Sequence, residues 1–173
     1  VGLFHLAGIT PEAPTAAAAC GHRPPQRTVR LAADMLRAAR DRLSTAKGEA
    51  IDAVALGSPH FSLAEFAELE RQIAGQQVKV PFFVCTGRAV VHQLQGQNRV
   101  APLENSGVTI VADTCVVVTP ILPAGSGVLM TNSGKFAHYG PANTGYEVIY
   151  GSLADCVASA VAGKVMRDES LWQ

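Results

Sequence analysis

Charge is scarce in this sequence, and neither sign is in excess. Only 16% of the 173 residues are Asp, Glu, Lys or Arg, and 14 basic residues balance 14 acidic ones. Nucleic acid and anionic membrane surfaces are met by a surplus of Lys and Arg, so neither is an expected partner. No apolar run approaches the ~20 residues that cross a bilayer, and Val1 to Leu6 carries no basic start of a secretory signal. The four cysteines, Cys20, Cys85, Cys115 and Cys156, stand far apart with no CxxC pair. That spacing argues against a disulfide framework. Reduced thiols and a cytoplasmic location are expected. The glycine-rich GxGxxG and P-loop signatures are also missing, which argues against the usual nucleotide sites.

What the chain has is apolar residues in short, regularly interrupted runs. Hydrophobic residues make up 48%, far from the composition of disordered chains. The length suffices for one domain with a substantial core. A strand is expected at 1–6, then a turn held by Pro11 and Pro14, then a surface connection over 16–25. The chain starts directly in this strand-like sequence, as expected of a piece of a longer protein. From Arg27 the residues Val29, Leu31, Ala32, Met35, Leu36, Ala39 and Leu43 recur mostly at threes and fours. This spacing predicts a helix over 27–47, stopped at Gly48. Residues 51–56 read as a strand ending in Gly57-Ser58-Pro59-His60, and Ser62 with Glu65 forms the capping box of a helix over 63–74. The unit recurs with a strand at 80–85, helices at 89–95 and 102–105, and a strand at 108–112. After a Pro/Gly loop come strands at 128–130 and 147–150 and a closing helix at 153–162.

Strands alternating with helices predict parallel βαβ units, and nearly continuous apolar strands predict cover on both sheet faces. The expected fold is α/β: one domain over 1–173, three-layer α/β/α with a mainly parallel sheet.

In such sheets ligands collect at the carboxyl ends of the strands. Here almost every predicted strand ends in polar residues. They are Thr10 and Glu12; Ser58 and His60; Cys85, Thr86 and Arg88; Asp113, Thr114 and Cys115; Asn132, Ser133 and Lys135; and Ser152, Asp155 and Cys156. Cys115 and Cys156 each follow a strand. Either they converge above the sheet as thiolate ligands for iron or zinc, or they are two buried thiols. Arg88 is a surface cation or a carboxylate clamp. Asp113 is a cap or an orienter of a neighbouring ligand. His60 is a base or a hydrogen-bonded loop histidine.

The densest stretch runs from Val128 to Pro141. An apolar strand breaks into Thr131-Asn132-Ser133-Gly134, which can cap a helix or leave backbone N–H groups free. Lys135, His138 and Tyr139 follow at i, i+3 and i+4, one face of a helix. A small-anion site and an ordinary solvated helix cap both fit these residues.

The segments Gly8-Ile-Thr-Pro-Glu-Ala-Pro-Thr15, Gly57-Ser-Pro-His60, Asp113-Thr-Cys115, Thr131-Asn-Ser-Gly-Lys-Phe-Ala-His-Tyr139 and Gly151-Ser-Leu-Ala-Asp-Cys156 resemble the aconitase X family, in order and in spacing. The resemblance covers residues 1 to about 164, and the Ser-Gly-Lys-Phe-Ala-His-Tyr block is its specific part. It implies a hydro-lyase related to aconitase that removes water from a small hydroxy acid. The family's activities act on cis-3-hydroxy-L-proline and on mevalonate 5-phosphate. An iron–sulfur cluster or mononuclear iron, held largely by cysteines, is implied as the cofactor. So are a remaining large-part domain and a small swivelling part as partners, with this chain a fragment of the large catalytic part.

Carried onto this sequence, the resemblance assigns Cys115 and Cys156 to the metal. Beside them, Ser133, Lys135 and His138 are the candidate catalytic residues, and Ser58, His60, Arg88, Asn132, Ser133 and Gly134 the candidate substrate-binding ones. Ser58 departs from relatives, chiefly archaeal, that have cysteine there; it leaves the third ligand open and points to the bacterial hydroxyproline type. Cys20, in a variable stretch, and Cys85, in a strand, are not assigned. Lys135 and the Ser133-Gly134 backbone suit the carboxylate and the charge of an enolate-like intermediate. The general base is not identified among these residues.

Overall fold

Successive strand residues point to opposite sides of a sheet, and here both sides are apolar. Val54, Leu56, Phe82, Val84, Met130 and Ile149 enter one core cluster. Their neighbours Ala53, Ala55, Cys85 and Leu129 enter another. The structure, a computed structural model, describes residues 4–123 and 125–172. These divide into two compact units, up to Ala32 and from Ala33 onward.

The first unit is a turn and a short helix. Leu6 N–H donates to Thr10 Oγ1 at 2.9 Å, and the Leu6 carbonyl accepts from Ile9 and Thr10. Thr15 Oγ1 accepts from Ala18 N–H to cap α1 (Ala16–Ala19). Residues 4–6, predicted as strand, are not strand, because the turn uses their backbone groups. Residues 1–3 of that prediction lie outside the described residues. The connection predicted over 16–25 contains α1, whose four alanines carry no periodic apolar signal.

The second unit begins with α2 (Ala33–Leu43), shorter than the predicted 27–47. Val29 and Leu31 are exposed, so no apolar stripe extends the helix backward. At its other end Ser44, Thr45 and Ala46 leave the helix to close a sheet edge. There follow β1 (Ala53–Leu56), α3 (Leu63–Ile73), β2 (Phe82–Thr86), α4 (Arg88–Gly96), α5 (Val100–Asn105) and β3 (Val108–Ala112). After an irregular segment come β4 (Val128–Thr131), α6 (Gly134–Thr144), β5 (Glu147–Tyr150) and α7 (Leu153–Ala162). The capping box predicted for α3 is present, with Glu65 Oε2 accepting from Ser62 N–H at 2.8 Å.

The five strands of the described residues are all parallel, in the order β3-β2-β1-β4-β5. The chain moves outward from β1 through β2 to β3, then restarts on the other side of β1. One hand of crossover therefore puts α3, α4 and α5 on one face and α6 on the other. The first face packs Phe66, Leu69 and Ile73 of α3, Leu94, Leu103, and Cys156, Val157 and Ala160 of α7. The second packs Phe136 of α6 with Val116, Val117, Ile121 and Leu122 of the irregular segment. The predicted three layers are present, the second outer one only partly helical.

A bare edge at β5 would invite pairing with another chain. Thr45 and Ala46 N–H donate to the Val148 carbonyl at 2.8 and 3.1 Å, and Thr45 Oγ1 accepts from Val148 N–H at 2.8 Å. The residues after α7 then fasten back. Asp168 N–H donates to Asp155 Oδ1 at 2.8 Å, and Arg167 Nη2 donates to the Tyr150 carbonyl at 2.8 Å. Arg40, almost wholly buried, pairs with Glu169 at 2.6 Å and Asp41 at 2.8 Å and lies over the Trp172 ring. No helix of the described residues is long and apolar enough to cross a membrane.

Candidate active site

The strand order reverses between β1 and β4, and open parallel sheets place their ligand crevice at such a point. Two turns leave the sheet there. The first, after β1, is Gly57-Ser58-Pro59-His60. Gly57 has φ +77°, and a Cβ on it would collide with the Cys85 carbonyl oxygen. Only glycine allows both the left-handed conformation and that approach. The turn is tied down by Phe61 N–H, which donates to the same carbonyl at 2.8 Å, and by Thr86 Oγ1, which donates to the Phe61 carbonyl at 2.6 Å.

The second turn, after β4, is Thr131-Asn132-Ser133. Ser133 is the N-cap of α6; its Oγ accepts from Phe136 N–H at 3.2 Å and donates to the Ser58 carbonyl at 2.9 Å. The two turns are thereby joined. Ser58 Oγ is buried and, among the described residues, meets no hydrogen-bond partner. Asn132, Ser133 and Gly134 are half-buried beside it, and Lys135 is exposed one residue into the helix. Lys135, His138 and Tyr139 all reach solvent, with the His138 and Tyr139 rings edge to face at 4.8 Å. The first N–H groups of a helix have no partner within it, so the start of α6 presents donors beside a hydroxyl and an ammonium.

A second cluster lies at the ends of β1, β2 and β3. Gly87, the N-cap of α4, has no side chain to cap with. Asp113 does it from the end of β3: its Oδ1 accepts from Arg88 N–H at 2.8 Å and its Oδ2 from Arg88 Nε at 2.6 Å. The Arg88 backbone N–H, then its guanidinium, hold the Asp113 carboxyl below the ordinary carboxylate range, and His60 adds to the effect. Arg88 is exposed, so a predicted substrate clamp is already engaged through one nitrogen.

Cys115, two residues on, is half-buried and packs against the second face of the sheet. Cys156 is wholly buried under the first face. The expectation that the two thiols converge above the sheet is not met: five strands lie between the clusters that hold them. Burial, with Asp155 beside it, pushes the Cys156 thiol far up. The thiol that does share a face with Cys115 is Cys85, which burial pushes up to about 11 while the Val116 N–H and the Cys115 thiol act on it. No group of three His, Cys, Asp or Glu that could hold a metal occurs among the described residues. The described residues of the second unit therefore fit one accessible thiol ligand, Cys115, and not a complete set. Of the other strand-end residues, Thr10 and Glu12 belong to the first unit. Ser152 and Asp155 form the capping box of α7, at 2.9 and 3.0 Å.

Sequence reading missed one relationship. The nearness of Cys85 to Cys115 follows from the pairing of Cys85 with Val111 in the β2–β3 register, which no local pattern reveals. The reading of Asp113 as a cap is met on α4, whose N-cap residue Gly87 has no side chain of its own to cap with.

An open parallel sheet with hydroxyl, amide and ammonium groups gathered at the reversal of strand order defines an α/β domain. The chain belongs to the aconitase X family, residues 51–162 matching the aconitase X third domain. It is 42% identical to the cis-3-hydroxy-L-proline dehydratase of Pseudomonas aeruginosa, over 99% of this chain and 30% of that protein. It is 30% identical to the phosphomevalonate dehydratase large subunit of Methanosarcina mazei, over 95% of this chain and 38% of that subunit. The crystal structure of Thermococcus kodakaraensis aconitase X in its holo-form superposes with a TM-score of 0.64 at 29% identity, covering 73% of this chain and 33% of that one. The chain thus spans about a third of the length of the relatives it matches.

Proposed function

We propose that this chain is the third domain of an iron-dependent hydro-lyase that dehydrates a small hydroxy acid, cis-3-hydroxy-L-proline above all. Its own part of the work is to hold the substrate carboxylate between β1 and β4. The observation that carries the reading is the buried Ser58 hydroxyl, without a partner among the described residues, beside the Ser133-capped start of α6. A hydroxyl without a partner is costly in a folded protein unless a ligand satisfies it. A carboxylate accepts from that hydroxyl, from the first N–H groups of α6 and from Lys135, and the helix start favours its charge. The 42% identity to a hydroxyproline dehydratase, against 30% to a phosphomevalonate dehydratase subunit, supports the first substrate over the second.

Dehydration removes a proton next to the carboxylate and expels a hydroxide equivalent. Donors fixed at the carboxylate stabilise the charge that develops on it in the transition state, without reorganising as it forms. Gly134 and Lys135 supply these donors, Ser133 fixes their position by capping α6, Asn132 flanks them, and His138 stands one turn further on the same exposed face. His60 and Arg88 border the crevice from β1 and β2. Iron, when bound, supplies the Lewis acid for the departing hydroxyl. Cys115 is its ligand from this domain, and Cys156 stays in the core. The other ligands, the base and the swivelling part belong to the rest of a larger, cytoplasmic enzyme.

The test uses the complete enzyme, prepared anaerobically and supplied with each substrate. Bound iron and turnover of cis-3-hydroxy-L-proline are expected. Turnover of mevalonate 5-phosphate alone would move the chain to the other branch of the family. Carboxylate binding with neither iron nor turnover would make it a non-catalytic binding domain.

A further inference from the structure

We propose that Asp113 is a positioning residue for Cys115: by capping α4 from outside the helix, its carboxylate fixes the turn on which that thiol stands. The proposal rests on the reading that Cys115 faces the reaction centre. Asp113 is anchored at both ends. Its N–H donates to the Thr86 carbonyl at 2.8 Å, extending the β2–β3 ladder by one residue, and its carboxylate takes both the N–H and the Nε of Arg88. Between these anchors its backbone is left-handed, φ 60°, a conformation Asp and Asn tolerate better than other residues with a side chain. The chain therefore turns sharply off β3 in a fixed direction.

Residues 114–119 are fastened in the same way. The Thr114 and Thr119 hydroxyls hydrogen-bond each other, and the Cys115 carbonyl accepts from Val118 and Thr119 N–H at 3.1 Å each. Val116, directly after the thiol, is buried against the second face, and its N–H acts on the Cys85 thiol. Cys115 is thus the half-buried member of a turn pinned before and after. The upstream pin, however, is a carboxylate from the turn itself, gripping a helix that would otherwise start without a side-chain cap.

The experiment is alkylation of the native full chain with iodoacetamide, followed residue by residue by mass spectrometry. In Asp113→Ala the Cys115 rate should rise about fivefold, the usual scale of losing one cap. Cys20 should keep its rate, and Cys85 and Cys156 should stay protected. Asp113→Asn tolerates the left-handed turn and still accepts from Arg88 N–H, so it should restore most of the protection. Release of Cys85 and Cys156 together with Cys115 in Asp113→Ala would show general destabilisation and overturn the proposal, as would an unchanged Cys115 rate. If Asp113→Ala does not fold, Arg88→Met serves instead: it keeps the backbone half of the grip, and a rise at Cys115 alone, smaller than fivefold, is then required. The reading beneath is tested apart, by iron content of the complete enzyme carrying Cys115→Ser: iron retained there removes Cys115 from the centre but leaves the positioning result intact.

Discussion

Ser133 Oγ and the Ser58 carbonyl, 2.9 Å apart, belong to turns 75 residues apart in sequence that leave adjacent strands on either side of the point where strand order reverses. The same hydroxyl caps α6, so one side chain sets both the direction of the helix and its distance from β1. The neighbouring Ser58 hydroxyl does neither.

That difference predicts opposite outcomes for two Ser→Ala changes. Ser133→Ala loses a cap and a hydrogen bond, each worth about 1 kcal/mol, and should lower unfolding stability by roughly 1–2 kcal/mol in urea titration. Ser58→Ala removes a buried hydroxyl without a partner among the described residues, so stability should hold or rise slightly. In the complete enzyme Ser58→Ala should nevertheless weaken substrate binding. A Ser58→Ala protein destabilised as much as Ser133→Ala would mean that the hydroxyl has a structural partner.

Lys135 separates function from stability. Its side chain is exposed and makes none of the ion pairs found among the described residues. Lys135→Ala should leave the urea midpoint unchanged. Loss of a charge-assisted contact of about 1.5–3 kcal/mol should lower kcat/KM at least tenfold in the complete enzyme. Wild-type kcat/KM in that variant would reduce Lys135 to a solvated residue of the first turn.

Much of the fold was legible because the strands are short apolar runs bounded by strong local signals. β3, β5 and α7 occur where the pattern put them, and the capping box at Ser62 forms. Local pattern failed where tertiary demands took over. Ser44 to Ala46 close a sheet edge instead of continuing α2, and the alternation of Val29 and Leu31 belongs to no helix. The candidate site divides along the same line. Asn132, Ser133, Gly134 and Lys135 are adjacent in sequence, so their grouping was readable, and Ser58 joins them because β1 and β4 are neighbours. The separation of Cys115 from Cys156 was unreadable because it depends on which face α7 covers, and that follows from crossover direction and strand order.

The thiols should report those faces directly. Native alkylation should label Cys20 and, more slowly, Cys115, leaving Cys85 and Cys156 until denaturant is added. Cys85 also implies a pH dependence. Its folded-state pKa is raised from 9.0 to about 11, chiefly by burial, so above pH 9 the unfolded chain gives up this proton while the folded chain keeps it. The unfolded state then binds fewer protons, and stability should fall from about pH 9 to about pH 11. Replacing Cys85 by Ala should lessen that decline without abolishing it, because the Cys156 thiol, pushed up further by burial, keeps its proton in the folded chain over the same range. An equally steep decline in the variant would assign the effect to another group.

The last prediction concerns the 173-residue chain by itself, which should fold and not catalyse. Folding is expected because the second unit closes its own core. Both sheet faces are covered, the β5 edge is blocked, and Phe61, Phe66, Phe82 and Phe136 are wholly buried. Burying a side chain of that size contributes about 1.5–3 kcal/mol each, enough across the cluster for a cooperative urea transition. Turnover is not expected, because the described residues offer no group of three metal ligands and the chain spans 30% of the hydroxyproline dehydratase it resembles. The assay restores iron and sulfide anaerobically and supplies cis-3-hydroxy-L-proline, then mevalonate 5-phosphate. A cooperative unfolding transition with no product from either is the expected result. Sustained dehydration of either substrate would mean that the catalytic centre is complete within these residues, and that the donors at the start of α6 act without a second domain to close over them.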